Sequence, residues 1–342
     1  MLNERKLKIL QAIIQDYIET AEPVGSRTLS KKYDLGVSPA TIRNDMADLE
    51  ELGYITQPYT SSGRIPSDKG YRLYVDQFMS LKKLSDFKKD LLELELLNKI
   101  SEIEQILQYS SKLLSQITNY TTVAVAPQLK ESKLKHIQLV PIDSENVLAV
   151  LVTDSGMVKK PIIRIDHKVT DSNFETISNY LNDKLYGMPI ENIEDSLIEI
   201  LNNDLKDFSS IVDEIIPEIF QSLDEINNLD MFLNGTMNIF NFPEYNDILK
   251  AKSFLEFLEE KQLLSNLITS FNNEGLNISI GSENVYKEAK DCSLITATYK
   301  IDNKTLGWLS VIGPTRMEYS NVVSVMAEAS KFINDLFKNR YR

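Results

Sequence analysis

The feature that most constrains this chain lies between Ser38 and Pro66. Ser38 followed by Pro39 reads as the start of a helix, because serine caps a helix N-terminus and proline suits its first position. In the helix that follows, Ile42, Met46 and Leu49 fall within a narrow arc and must face a core. Ala40, Asn44 and Ala47 lie opposite, with Thr41 and Arg43 on the flanks. Gly53 ends the helix. Tyr54–Gln57 then reads as a short strand, 58–63 as a turn-rich tip, and Arg64–Pro66 as the return strand.

Two further helices precede this run. Leu7, Leu10, Ile13, Ile14, Tyr17 and Ile18 recur at helical spacing over residues 4–20. A turn at Ala21–Gly25 follows, and Ser26 caps a short helix anchored by Leu29 and Tyr33. Three helices followed at once by a small hairpin predict a winged helix-turn-helix over residues 1–75. The outward face of the third helix is small and polar near its N-terminus. A helix entering a major groove needs such a face, and an ordinary solvated face on a three-helix domain has the same composition. The hairpin shifts the balance, because its tip presents Tyr59, Thr60, Ser61, Ser62 and Arg64 to phosphates or a minor groove. Thr41, Arg43 and Asn44 are the expected base readers. Ser38, Arg64, Lys69 and Arg72 are the expected phosphate anchors, with Tyr59 at the tip.

Charge is distributed in keeping with this. The 342 residues carry a formal net charge of −13. Residues 1–75 hold ten Lys/Arg and ten Asp/Glu, so the acidic excess lies in the remaining 267 residues. An acidic body repels non-specific DNA, so binding must lean on a few placed contacts and on two-fold duplication reading an inverted repeat. The near-neutral head leaves open a protein-interaction module as a rival.

The runs Val24–Ser30, Ser38–Glu50 and Gly63–Arg72 closely resemble the HrcA family of heat-inducible transcription repressors. Leu233–Thr236, Ile280–Glu283 and Gly307–Tyr319 carry the resemblance more weakly. Tyr59 stands where histidine is expected and Ser62 where alanine is usual, which puts fine sequence preference in doubt. The resemblance implies an α+β multidomain chain. A winged helix-turn-helix joins a GAF-like α/β domain (76–118 and 227–342), and a dimerisation domain (119–226) is inserted into it. It further implies a homodimer that represses chaperone operons at an inverted-repeat operator called CIRCE in double-stranded DNA. The chaperonin GroEL would support the active form.

The rest of the chain accommodates that layout. Residues 76–118 are helical in pattern, with Leu84, Leu91, Leu97, Ile103 and Leu107 among the apolar positions. They read as a packed helix in preference to a dimer seam, because strict heptads are absent. Leu134–Ile142, Asn146–Thr153 and Val158–Ile165 predict a three-stranded antiparallel meander, followed by helices over 172–186, 191–204 and 208–225. A strand over Met231–Phe240 and a helix over Ile248–Phe271 come next. Strands at Leu276–Ile280, Ser293–Ile301 and Thr305–Ile312 and a helix over Glu318–Phe337 close the chain.

Enzyme chemistry finds little support. One cysteine, Cys292, and two histidines, His136 and His167, allow no internal disulfide and no Cys-rich zinc site. The chain has no P-loop and no G-x-G-x-x-G. No cofactor is expected, and no apolar run approaches a membrane span, so a cytoplasmic, non-membrane protein is expected. A rival of another kind is a small-molecule-responsive winged-helix regulator, with a pocket near Trp308 in the GAF-like sensor domain.

Overall fold

The computed structural model describes residues 2–59, 62–81, 103–125, 132–154, 158–166, 171–193, 209–227, 231–271, 275–301 and 304–340. The chain divides into two compact units. The first comprises Met1–Asn98, Gln108–Ala124 and Met231–Arg342, the second Lys99–Leu107 and Val125–Asp230.

The first unit opens with the head. Helix α1 (Glu4–Thr20) is capped by Asn3, whose side chain accepts from the Lys6 amide, and stops at Ala21 in a left-handed conformation. It buries Ile9, Leu10, Ile13 and Ile14. Helix α2 (Ser26–Lys32) buries Leu29, and α3 (Pro39–Glu51), capped by Ser38, buries Ile42, Met46 and Leu49. Strands β1 (Ile55–Thr56) and β2 (Ile65–Pro66) pair antiparallel. The return strand also bridges Val24, between α1 and α2: the Val24 amide donates to Arg64 O at 2.8 Å and the Arg64 amide to Val24 O at 2.9 Å. This approach requires glycine at 63, where a Cβ would lie 2.5 Å from Pro23 O. Helix α4 (Asp68–Gln77), capped by Ser67, completes the head.

The body of this unit is a five-stranded sheet ordered β8-β3-β11-β10-β9, formed by β3 (Thr121–Val125), β8 (Met231–Asn234), β9 (Leu276–Ile280), β10 (Cys292–Ile301) and β11 (Lys304–Pro314). Strand β10 pairs antiparallel with both β9 and β11. Leu294, Ile295, Leu309, Val311 and Ile312 are buried, as are Val322, Val325, Met326 and Ile333 on α10 (Tyr319–Arg340). Continuous burial along the central strands marks a sheet covered on both faces. Helix α5 (Ile103–Thr118) precedes β3. The body thus keeps β3, whose residues the sequence reading assigns to the inserted domain.

The second unit contains a sheet in which β5 (Asn146–Thr153) pairs with β4 (Leu134–Pro141) on one side, and with β6 (Val158–Lys159) and β7 (Ile162–Arg164) on the other. The expected meander is present, but its third run is split. Pro161 lacks a backbone donor and breaks the ladder, while its carbonyl still accepts from the Ala149 amide at 3.0 Å. Helix α6 (Asp171–Leu185) packs on β4. With α7 (Ser209–Asn227) it closes a core of Ile137, Leu139, Val147, Leu151, Phe174, Leu181, Ile215 and Ile219.

Other expectations change in detail. The strand begun at Met231 ends at Asn234, and 3-10 turns follow, held where Asn238 donates to Tyr120 O at 3.1 Å. The single helix expected over Ile248–Phe271 is two, α8 (Ile248–Glu259) and α9 (Lys261–Thr269), broken at Glu260 with φ −75° and ψ 73°. The helical pattern from Leu84 to Leu97, the tip residues Thr60 and Ser61, His167, and most of the helix expected over 191–204 lie outside the described residues. Among the described residues, no helix is long and apolar enough to cross a membrane.

Among the described residues strand β4 is an edge of its sheet, and α6 supplies a side-chain partner there. The Asn182 side chain accepts from the Ile137 amide at 2.8 Å and donates to Ile137 O at 2.6 Å. Asn182→Ala orphans both groups and should destabilise the second unit by about 1–3 kcal/mol. Urea unfolding checks this; an unchanged midpoint would show that the bridge contributes nothing.

Candidate nucleic-acid interface

Helix α3 has two sharply different faces. Inward lie Ile42, Met46 and Leu49, together with the buried carboxylate of Asp45. Outward lie Ala40, Arg43, Asn44 and Ala47, all exposed. Asp45 is held by a fork from Arg5 on α1, with Nε to Oδ2 at 2.6 Å and an NH2 group to Oδ1 at 3.0 Å. A charge inside the core is tolerated only with such a partner. Arg5 and Asp45 therefore fix the rotation of α3 about its axis, and hence what its outer face presents.

Ser38 and Thr41 act on each other. The Thr41 amide donates to Ser38 Oγ at 3.2 Å, and the two hydroxyls lie 3.0 Å apart. Tyr59, beyond β1, is 76% exposed. Its backbone is tied to Ser62, whose hydroxyl donates to Tyr59 O at 2.7 Å.

The expected phosphate anchors are differently employed. Arg64 is paired with Glu50 at 2.8 Å. Lys69 donates to Leu52 O at 2.9 Å and lies over the Tyr54 ring, 4.5 Å from its centroid. Arg72 forks onto Glu283 of the body, with Nε to Oε1 at 2.7 Å, and donates to Ile278 O at 2.6 Å. Arg64 and Arg72 are thus each engaged by a carboxylate of the chain, whereas Lys69 stays exposed and keeps its charge while its ammonium is engaged by a carbonyl and a ring. Arg5, Lys6, Lys8 and Lys32 are paired as well, with Asp45, Asp48, Glu4 and Asp16.

Of the head's ten cations, Arg27, Lys31 and Arg43 remain without a partner among the described residues, and all three are exposed. Arg27 and Lys31 are four residues apart on α2 and so share a face; Arg43 projects from α3. The sequence reading picked out Arg43 and missed the other two. Their spacing opposite buried Leu29 was the available signal. Helices α2 and α3 thus concentrate the head's free positive charge beside the small, polar face of α3.

Among the described residues the body shows no reactive centre. Cys292 is buried, and burial pushes its thiol up to about 12 although the Tyr245 hydroxyl, 3.6 Å away, pulls it down. A cavity of about 560 Å³ is lined by Asp68, Tyr245, Phe254, Cys292 and Thr315 among others; Trp308 is not one of its lining residues. Among the described residues no cluster of His, Cys, Asp or Glu could hold a metal ion.

Comparison with known proteins places this arrangement. Residues 104–323 match the family model for the HrcA protein C-terminal domain. The chain is 58% identical to the heat-inducible transcription repressor HrcA of Alkaliphilus metalliredigens, over 100% of this chain and 99% of that protein. It is 48% identical to that of Clostridioides difficile, over 97% and 99%. A crystal structure of a hypothetical protein at 2.2 Å shares the fold, with a TM-score of 0.75 at 24% identity, covering 99% of this chain and 100% of that one. The class is therefore that of the DNA-binding transcription repressors. The chain belongs to the HrcA family, and its function is negative regulation of heat-shock transcription.

With its thiol raised to about 12, Cys292 should hold about one thiolate in ten thousand at pH 8. The native protein should therefore resist a maleimide or aromatic disulfide that labels it fully in denaturant. Rapid labelling of the native chain would contradict this burial.

Proposed function

We propose that the head is a winged helix-turn-helix whose α3 enters the major groove while α2 spans the adjacent backbone. The observation that carries this reading is the confinement of the head's unpartnered cations to α2 and α3. Arg43 and Asn44 project from α3 without internal partners and are suited to guanine and adenine edges respectively. Thr41 stands at the same helix end. Arg27 and Lys31 serve as phosphate contacts, and Tyr59 reaches from the wing.

The sheet-and-helix body is read as the GAF-like domain and the second unit as the inserted dimerisation domain. One head offers few base contacts, so a homodimer on a two-fold inverted repeat is the economical arrangement. Family likeness alone supports the further reading that this repeat is the CIRCE operator and that a GroEL-type chaperonin sustains the active form.

Footprinting on chaperone promoters tests the reading; absence of a two-fold protected site would overturn it. Arg43→Ala should weaken operator binding by about 1–3 kcal/mol, with loss of preference at one base position. Arg27→Ala and Lys31→Ala should instead weaken binding to all sequences alike. Each should lower the slope of log K against log salt by about 1. Titrations at several salt concentrations separate the two effects. An unchanged slope would remove Arg27 and Lys31 from the interface.

A further inference from the structure

We infer that Arg72, Glu283 and Asp68 form a clamp that seats the head on the body and thereby sets which half-site spacing the repressor accepts. The inference rests on the reading of the protein as a dimeric winged-helix repressor, and it concerns positioning residues that touch no base.

The clamp is built from both sides. From α4, Arg72 reaches Glu283 with two guanidinium nitrogens and donates to Ile278 O at 2.6 Å. Glu283 is itself held, because the Ile280 amide donates to its Oε2 at 2.8 Å. Across the same turn, the Asp68 carboxylate accepts from the Ser282 amide at 2.8 Å. The turn residue is Gly281, with φ +52°, and a methyl group there would run into the Asp68 carboxylate. An arginine and an aspartate one helical turn apart on α4 thus grip a single body turn with opposite charges. The guanidinium is fixed in a planar fork that a lone ammonium could not reproduce.

Three further contacts make the seat resist rotation. Arg316, before α10, donates to Glu244 and, at 2.9 Å, to Ile18 O near the end of α1. Ser320 on α10 donates to Ser80 O beyond α4. Tyr71 of α4 packs its ring against Tyr319, with centroids 5.9 Å apart. The head is held at both α1 and α4, so its recognition helix has a fixed direction in the frame of the body. In a dimer, two heads of fixed direction match one separation of half-sites, whereas loosened heads match several.

The test uses the full-length protein in two measurements. Spin labels at Glu22→Cys and Lys261→Cys, diluted with unlabelled chain, report the head-to-body distance by pulsed electron resonance. Operator titrations compare the natural inverted repeat with repeats lengthened by five base pairs, half a helical turn. Arg72→Ala and the milder Glu283→Gln should each broaden the distance distribution. They should also cut the preference for natural spacing about tenfold or more, the equilibrium factor of a lost charged hydrogen bond. Binding to an isolated half-site should stay the same. Unchanged distances and spacing preference in both variants would overturn the clamp. If the parent protein binds no inverted repeat, the reading as a dimer on a two-fold operator fails, and the distance distributions still decide whether Arg72 and Glu283 seat the head.

Discussion

An acidic chain must approach a polyanion, and that constraint shapes the head. The acidic excess lies outside residues 1–75, and the head itself is balanced. Between exposed charges, attraction decays over about 8 Å at physiological salt, so a neutral head cannot rely on a broad basic field. Its remedy is local. Most of its cations have partners within the chain, and the three without one among the described residues stand on α2 and α3. The intramolecular pairs also hold the head's elements to one another. Arg5–Asp45 ties α1 to α3, Lys32–Asp16 ties α1 to α2, and Arg64–Glu50 ties the β1-β2 hairpin to α3. The paired cations hold in place the helices that carry the unpaired ones.

Much of the head was legible because its signals are local. Helical period alone puts Ile42, Met46 and Leu49 inside and Asn44 and Ala47 outside. Glycine and proline punctuate the hairpin. What sequence could not supply was the partner of each charged side chain. Arg64 meets a residue 14 positions away, Lys69 one 17 away and Arg72 one 211 away. A cation on a surface helix reads alike whether its neighbour is a phosphate or a glutamate brought close by the fold. Arg27 and Lys31 were overlooked for the complementary reason, since a seven-residue helix gave too short a pattern to weigh.

Beyond the head, contiguity again set the limit. The β4-β5 meander was legible because short turns join adjacent runs. The five-stranded sheet was not, because β3 pairs with strands that return only after the whole second unit. Where elements broke unexpectedly, single residues explain it. Pro161 splits one strand, and the backbone at Glu260 splits one helix. The side chain of Asn238 bends the chain after β8 back toward Tyr120. Periodicity registers the apolar face of a helix and is nearly blind to one residue that interrupts it.

The two employments of arginine in this head bear on each other. A head with few free cations binds any DNA weakly, since non-specific affinity grows with the number of phosphates neutralised. Weak heads discriminate best when two act together at one separation, because the second contact then adds its full free energy only on a correctly spaced site. Fixed separation requires that each head not swivel on its body. Arg72 could contribute one more phosphate contact to every sequence alike, or it could hold α4 to the body and sharpen the choice among sequences. The proposed clamp, built on its fork onto Glu283, assigns it the second use. On a chain whose acidity already suppresses indiscriminate binding, that is the use of a cation that favours a repressor acting at few sites.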